Sequence, residues 1–195
     1  MDWETDVQTY LAIFLNGCPE ELRPGLCPEC GAEGKMHRHG KFSRKAITFI
    51  EAVIIPIYRF KCYACKGCTV SLIPSFLGAH QQAIWDAQEE IIRQNENGNS
   101  LEKVAERWKP SFVAFSVKTL WRWKKQWDQQ LQEQESRIWA QLIDLIPHVT
   151  LPVGSQKPQR RWLWLFSLWE QFNSRHPQSF GLLHWLYRFC QSGPS

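Results

Sequence analysis

Cys27-Pro28-Glu29-Cys30-Gly31, answered downstream by Cys62-Tyr63-Ala64-Cys65-Lys66-Gly67, is the pattern from which the rest of the chain can be read. Each Cys-x-x-Cys turn aims two sulfurs at one point, and the glycine that follows lets the backbone double back. Two such turns close a tetrahedral shell, so the spacing predicts one structural Zn2+ held by Cys27, Cys30, Cys62 and Cys65. With four protein ligands no coordination position is left for water or substrate. A redox pair of the thioredoxin kind needs a strand-then-helix context that neither pair has. Disulfides fit poorly with seven cysteines and with no signal-peptide pattern ahead of them. Cys68 makes a rival pairing with Cys65 conceivable, but the Lys-Gly knuckle pattern follows Cys62 and Cys65; Cys68 reads as a spare, supporting or substitute thiol.

Working outward, the segment between the two pairs reads as a β-hairpin clipped at its base. Ala46 to Ile50 and Val53 to Phe60 are rich in Ile, Val, Phe and Tyr, with Glu51-Ala52 as the turn. Val53, Ile55 and Ile57 share one face and Ile54, Tyr58 and Phe60 the other, so both faces are expected to be partly covered. Pro56 predicts an edge position. A third short strand, Thr69 to Ile73, ends at Pro74. The whole unit reads as a zinc ribbon. Within it, His37-Arg38-His39-Gly40-Lys41 is a basic stretch; the Cys₄ set already satisfies the metal, so Arg38 and Lys41 are candidates for contact with a nucleic-acid backbone, with a plain exposed strand as the alternative.

At 195 residues and 44% hydrophobic composition, the chain has room for one fair-sized domain or a few compact modules. The fold class expected is α+β: a small zinc-ribbon sheet followed by an all-α helix-turn-helix and a C-terminal helical segment. The net charge of +4 says little, but its distribution says more. Lys35, Arg38, Lys41, Arg44, Lys45, Arg59, Lys61 and Lys66 crowd the ribbon, and Arg107, Lys109, Lys118, Arg122, Lys124 and Lys125 form a block with no acidic residue among them. Such local patches attract phosphates, although a basic helix taken alone can equally be a solvated face. No hydrophobic run is long enough to span a bilayer, and a cytoplasmic protein is expected.

The remaining organisation follows from periodicity. Residues 1–18 form an amphipathic helix carrying Trp3, Val7, Tyr10, Leu11, Phe14 and Leu15; residues 19–78 form the ribbon; residues 79–135 the helix-turn-helix. In the last of these a helix from His80 to Asn95 ends at Asn95-Glu96-Asn97-Gly98-Asn99. A second runs from Leu101 to Trp108 behind Ser100 as N-cap. Lys109-Pro110 breaks it, and a third runs from Val117 to Gln134 behind Ser116. A basic third helix after a short second one is the pattern that lays one helix across phosphates and the next into the major groove of double-stranded DNA. Its candidate contacts are Val117, Lys118, Thr119, Arg122, Lys124 and Lys125. The segment Pro110 to Phe115 is longer than the usual turn, and an ordinary bundle with Trp121, Trp123 and Trp127 as core is the competing reading. Residues 136–150 are a connecting helix, 151–161 a linker, and 162–195 a Trp-rich tail. That tail either docks on the helix-turn-helix or forms a homodimer or protein-partner surface.

These residues carry a resemblance. Cys27-Pro28-Glu29-Cys30-Gly31, His37-Arg38-His39-Gly40, Tyr58-Arg59-Phe60-Lys61-Cys62 with Cys65, Ile73-Pro74 and Lys118-Thr119-Leu120-Trp121-Arg122-Trp123 resemble the zinc-ribbon plus helix-turn-helix front of some insertion-sequence transposases. They look closer still to a family of small bacterial proteins of unknown function that share that front. The resemblance covers about Cys27 to Trp127. It implies DNA binding, as a transcriptional regulator or a mobile-element accessory factor. The catalytic domain that follows in the transposases is not expected here: past Trp127 there is too little chain and no separated trio of carboxylates for two metal ions. No Ser-His-Asp arrangement, phosphate loop or open zinc site is present in the sequence, so no enzyme activity is expected. The rival from another class is a zinc-ribbon protein-interaction adaptor acting through the aromatic tail.

Overall fold

The computed structural model describes residues 6–108, 115–146, 161–178 and 180–191. Its architecture is α+β, a three-stranded antiparallel sheet in the order β1-β2-β3 followed by helices. The chain divides into two compact units, Met1–Thr48 with Ala52–Ile84, and Phe49–Glu51 with Trp85–Ser195.

In the first unit β1 (Met36–Ile47) pairs with β2 (Ala52–Cys62), and β3 (Thr69–Ser71) pairs with Arg59–Lys61 of β2. Strand β1 begins well before the Ala46 start read from periodicity. Its residues from His37 to Lys45 are mostly polar and, Arg44 apart, exposed, so it is held by its ladder to β2 rather than by burial of its own side chains. Ala52 lies in β2, paired with Ile47, rather than in the turn. The edge position expected for Pro56 holds only locally. β2 is the middle strand, but β3 reaches no farther than Arg59. The Pro56 carbonyl points to the flank left open and accepts the Tyr10 hydroxyl at 2.5 Å, so the missing N–H interrupts no ladder.

The register shifts between Arg38 and Lys41, where His39 and Gly40 together oppose Arg59, and Gly40 takes a φ of +99° that a side chain would resist. Pairing also fixes the faces. Ile55, Ile57, Arg59 and Lys61 share one with His37, Phe42 and Arg44; Ile54, Tyr58, Phe60 and Cys62 share the other with Lys41, Ser43 and Lys45. The cover changes face halfway along: Ile55 and Ile57 are fully buried on the first, Phe60 and Cys62 on the second, while Ile54 is 58% exposed. Helix α1 (Val7–Ile13), capped by the Asp6 carboxylate on the Thr9 N–H, supplies part of that cover through Tyr10 and through Phe14, whose ring stacks on Tyr58. Leu15, expected on its apolar stripe, is exposed because the helix has already ended; Trp3 lies outside the described residues. Arg44 donates to the carbonyls of Gly78 and Gln81, tying the segment after β3 back to the sheet.

In the second unit α2 (Trp85–Glu96), α3 (Leu101–Trp108) and α4 (Val117–Glu133) form the three-helix arrangement read from the sequence. Between α2 and α3 the chain turns at Gly98, φ +91°, with Asn99 N–H returning to the Gln94 carbonyl at 3.1 Å. Residues 109–114, which include the expected break at Lys109-Pro110, lie outside the described residues, as do 151–160 of the expected linker. The rest of the unit is α5 (Glu135–Leu145), α6 (Arg161–Arg175) and α7 (Leu182–Gln191). The Trp-rich tail docks within this unit. Trp162, Leu165, Phe166, Leu168 and Trp169 of α6 and Leu182, Leu183 and Leu186 of α7 share one core with Trp85, Ile92, Trp127, Leu131, Ile138 and Leu142.

Candidate metal centre and basic helix face

The two knuckles are built by backbone turns at either end of the hairpin. Gly31 N–H returns to the Cys27 carbonyl at 2.9 Å and Cys27 N–H to the Ala32 carbonyl at 3.1 Å. In the second, Cys62 N–H donates to the Cys68 carbonyl at 2.8 Å and Gly67 N–H to the Cys65 carbonyl at 2.7 Å. Gly31 and Gly67 both have positive φ, at 68° and 97°, which is why glycine follows each pair. Cys68 thus closes the second turn with its backbone, a part that neither its side chain nor its spacing announced.

These turns bring the sulfurs of Cys27, Cys30, Cys62 and Cys65 within 4.8 Å of one another. Cys27 and Cys65 are 3.9 Å apart and Cys30 and Cys62 3.8 Å apart, far beyond a disulfide bond. A tetrahedral ion about 2.3 Å from each thiolate requires sulfur–sulfur edges of about 3.8 Å. The four predicted ligands therefore come together at a separation that fits one metal ion, and all seven cysteines of the chain are free thiols. Without a cation the thiols share charge unevenly. Cys27 is drawn down to about 6, first by the Cys30 N–H and, against some burial, by the Glu29 N–H. Cys30 also receives an amide, from Ala32, but hydrogen bonding with Cys27, burial and the other sulfurs push it up to about 12. One thiolate forms readily and Cys30 beside it then resists ionising; a bound cation lifts that penalty by accepting both.

The second feature is the outer side of α4. Ser116 caps the helix, its hydroxyl accepting the Thr119 N–H at 3.2 Å. Leu120, Trp127 and Leu131 turn inward, and Trp123 packs edge-on against Phe115, which also meets Trp108 of α3. That leaves Lys118, Trp121, Arg122 and Lys125, at helical spacing, on one exposed stripe. Trp121 is 51% exposed and Lys125 Nζ sits 5.0 Å from the centre of its ring. The competing reading had placed this Trp in a core. Its position three residues after Lys118 and beside Arg122 was the signal that it belongs to the basic face instead.

The other nominated residues are placed differently. Val117 and Thr119 are half-buried at the start of α4, Thr119 sharing a hydroxyl contact of 3.0 Å with Ser116. The Lys124 ammonium is held by Glu96 at 3.0 Å and Asp128 at 2.8 Å. Burial opposes its charge, but the two carboxylates outweigh that and keep it protonated above the ordinary lysine range. In the sheet, Arg38 donates to the Cys18 carbonyl at 2.5 Å and meets Glu20 at 3.0 Å, whereas Lys41 is exposed, 5.7 Å from the Tyr58 ring centre. Among the described residues no helix is long and apolar enough to cross a membrane. No protein-family model, no curated protein and no solved structure matches this chain.

Proposed function

We propose that this is a cytoplasmic DNA-binding protein, a transcriptional regulator or a transposition-related accessory factor, in which α4 enters the major groove and one structural Zn2+ holds the knuckles. The observation that carries the reading is the stripe of Lys118, Trp121, Arg122 and Lys125 on the first turns of a capped helix that follows a short, well-packed α3. Lys and Arg side chains there can reach phosphates and the acceptors of guanine, and an indole can lie against a thymine methyl. Arg122 and Lys125 have no carboxylate partner among the described residues, in contrast to Lys124. Lys124 therefore serves the packing of α4, and Arg38 the anchoring of the segment before the ribbon, rather than DNA contact.

Zinc is the ion that suits four thiolates closing a tetrahedron. An iron–sulfur cluster binds its cysteines to different irons, a poor match to sulfurs this close. The metal's role in this reading is to fix the hairpin ends, with no catalysis. The adaptor reading drew its strength from the aromatic tail, and with Trp162 and Trp169 buried in the core that motive falls away.

The test is the affinity of the zinc-loaded chain for a mixed-sequence duplex, against the Arg122→Glu/Lys125→Glu variant. A loss of more than tenfold with unchanged melting supports the reading; equal affinity for the two proteins removes α4 from any DNA contact.

A further inference from the structure

One face of the sheet carries both cations and exposed rings. His37 pairs with Lys61 and Phe42 with Ile57, so His37, Phe42, Arg59 and Lys61 lie together on the side that is left uncovered toward the knuckles. Tyr63 continues the row, its ring 5.0 Å from that of His37. Tyr63 is 65% exposed and Phe42 42% exposed. Arg59 is exposed as well, and neither it nor Lys61 has an ion-pair partner among the described residues. Two arginines of this unit are by contrast engaged: Arg38 with Glu20 and a carbonyl, Arg44 with two carbonyls.

The row from Ile57 to Tyr63 extends about 20 Å at about 3.3 Å per residue. Phe42 lies at one end of it and His37 and Tyr63 at the other, with Arg59 and Lys61 between them. The sheet does not need those rings for its own core, since Ile55, Ile57 and Phe60 fill it. An acidic peptide would use the charges and leave the rings idle. A duplex would also use the charges, but its bases are already stacked on one another. Unpaired bases on a charged backbone match both. Addition of a partner strand along β1 is disfavoured by the bulge at His39-Gly40 and by Lys41 and Lys45.

We propose that this face binds single-stranded nucleic acid, with Arg59 and Lys61 on the phosphates and Tyr63 and Phe42 stacked on bases. The site is separate from the α4 stripe and stands whether or not α4 binds duplex DNA.

The experiment is fluorescence anisotropy of labelled oligo(dT) and oligo(U) with the zinc-loaded full chain. It compares the natural protein with Tyr63→Leu, Tyr63→Phe, Arg59→Gln and Arg122→Glu/Lys125→Glu, and a duplex probe is run in parallel. The proposal expects binding to at least one oligonucleotide to weaken about tenfold in Tyr63→Leu and in Arg59→Gln. Tyr63→Phe, which keeps the ring, and the α4 variant should stay close to the natural protein, and duplex affinity should not follow the sheet variants. The two oligonucleotides separate DNA from RNA as the source of the strand. The proposal is overturned if the natural protein binds neither, if Tyr63→Leu binds as tightly, if Tyr63→Phe falls as far as Tyr63→Leu, or if only the α4 variant loses binding. Displacement of the oligonucleotide by polyglutamate at matched charge would likewise reduce the contact to charge alone and overturn it.

Discussion

At the scale of single residues, two tryptophans of one helix separate stability from recognition. Trp127 is buried, and its indole N–H donates to Gln88 Oε1 at 3.0 Å; Trp121 faces solvent. Truncating Trp127 to Ala should cost about 3–5 kcal/mol, because it opens a cavity in the helical core and removes a buried hydrogen bond to Gln88. Truncating Trp121 should stay within about 0.5 kcal/mol in a denaturation curve, while duplex affinity falls. Equal destabilisation by both would mean that Trp121 is a packing residue and not part of the proposed contact face. The difference between them was only half legible in the sequence. Trp121, Trp123 and Trp127 all offer themselves as core in the sequence, and tryptophan at 121 looks like core until Lys118, Arg122 and Lys125 are seen to flank it. The knuckle cysteines were fully legible, since spacing alone dictates where four sulfurs can meet. The partners of Arg38 were not, since only the three-dimensional fold brings Glu20 and the Cys18 carbonyl to it.

At the scale of elements, α7 is tied to α2 by carboxylates. Glu89 Oε2 accepts the Leu183 N–H at 3.0 Å, at the start of α7, and its other oxygen meets Arg93 at 3.0 Å; Asp86 accepts the Gly181 N–H. The approach is close enough that a β-carbon at Gly181 would lie 2.5 Å from Glu89 Oε2. Free N–H groups at a helix start favour such acceptors. Burial nevertheless raises Glu89 above the ordinary carboxylate range, and the Leu183 amide and Arg93 offset only part of that. A raised folded value means that the folded state holds the proton longer than the unfolded chain does. Stability from this group is therefore complete at acid pH and is lost as pH rises from the ordinary carboxylate range through the folded value. Glu89→Gln, which keeps an oxygen for Leu183, should accordingly gain in melting temperature relative to the natural protein as pH is raised from 4 to 8. A difference that shrinks over that range would contradict the burial account. Nothing in the linear pattern announced this link, because the partners of Asp86 and Glu89 lie far along the chain.

At the scale of the whole molecule, two units carry two kinds of cohesion. The helical unit has a continuous core of tryptophan and leucine. The ribbon unit has a short sheet whose cover changes face midway, and its knuckle end gathers four cysteines that could hold a metal ion. Stripping the proposed Zn2+ with a strong chelator at neutral pH should abolish the ordered signals of the ribbon in an amide spectrum while the far-ultraviolet helical signal persists. Loss of both together would show that the helical unit cannot stand without the metal. The order of modules, ribbon then helices, was readable from the change of hydrophobic period after Pro74. The extent of β1 and the docking of the tail were not, because one depends on a partner strand and the other on packing between distant segments. The central claim, that the outer side of α4 lies on DNA, is tested most directly by the slope of log affinity against log salt for a duplex, with Arg122→Gln/Lys125→Gln beside the natural protein. If both side chains neutralise phosphates, the variant's slope should be shallower by about 1.8, at about 0.9 per contact; identical slopes, or no binding to the duplex at low salt, would contradict the account.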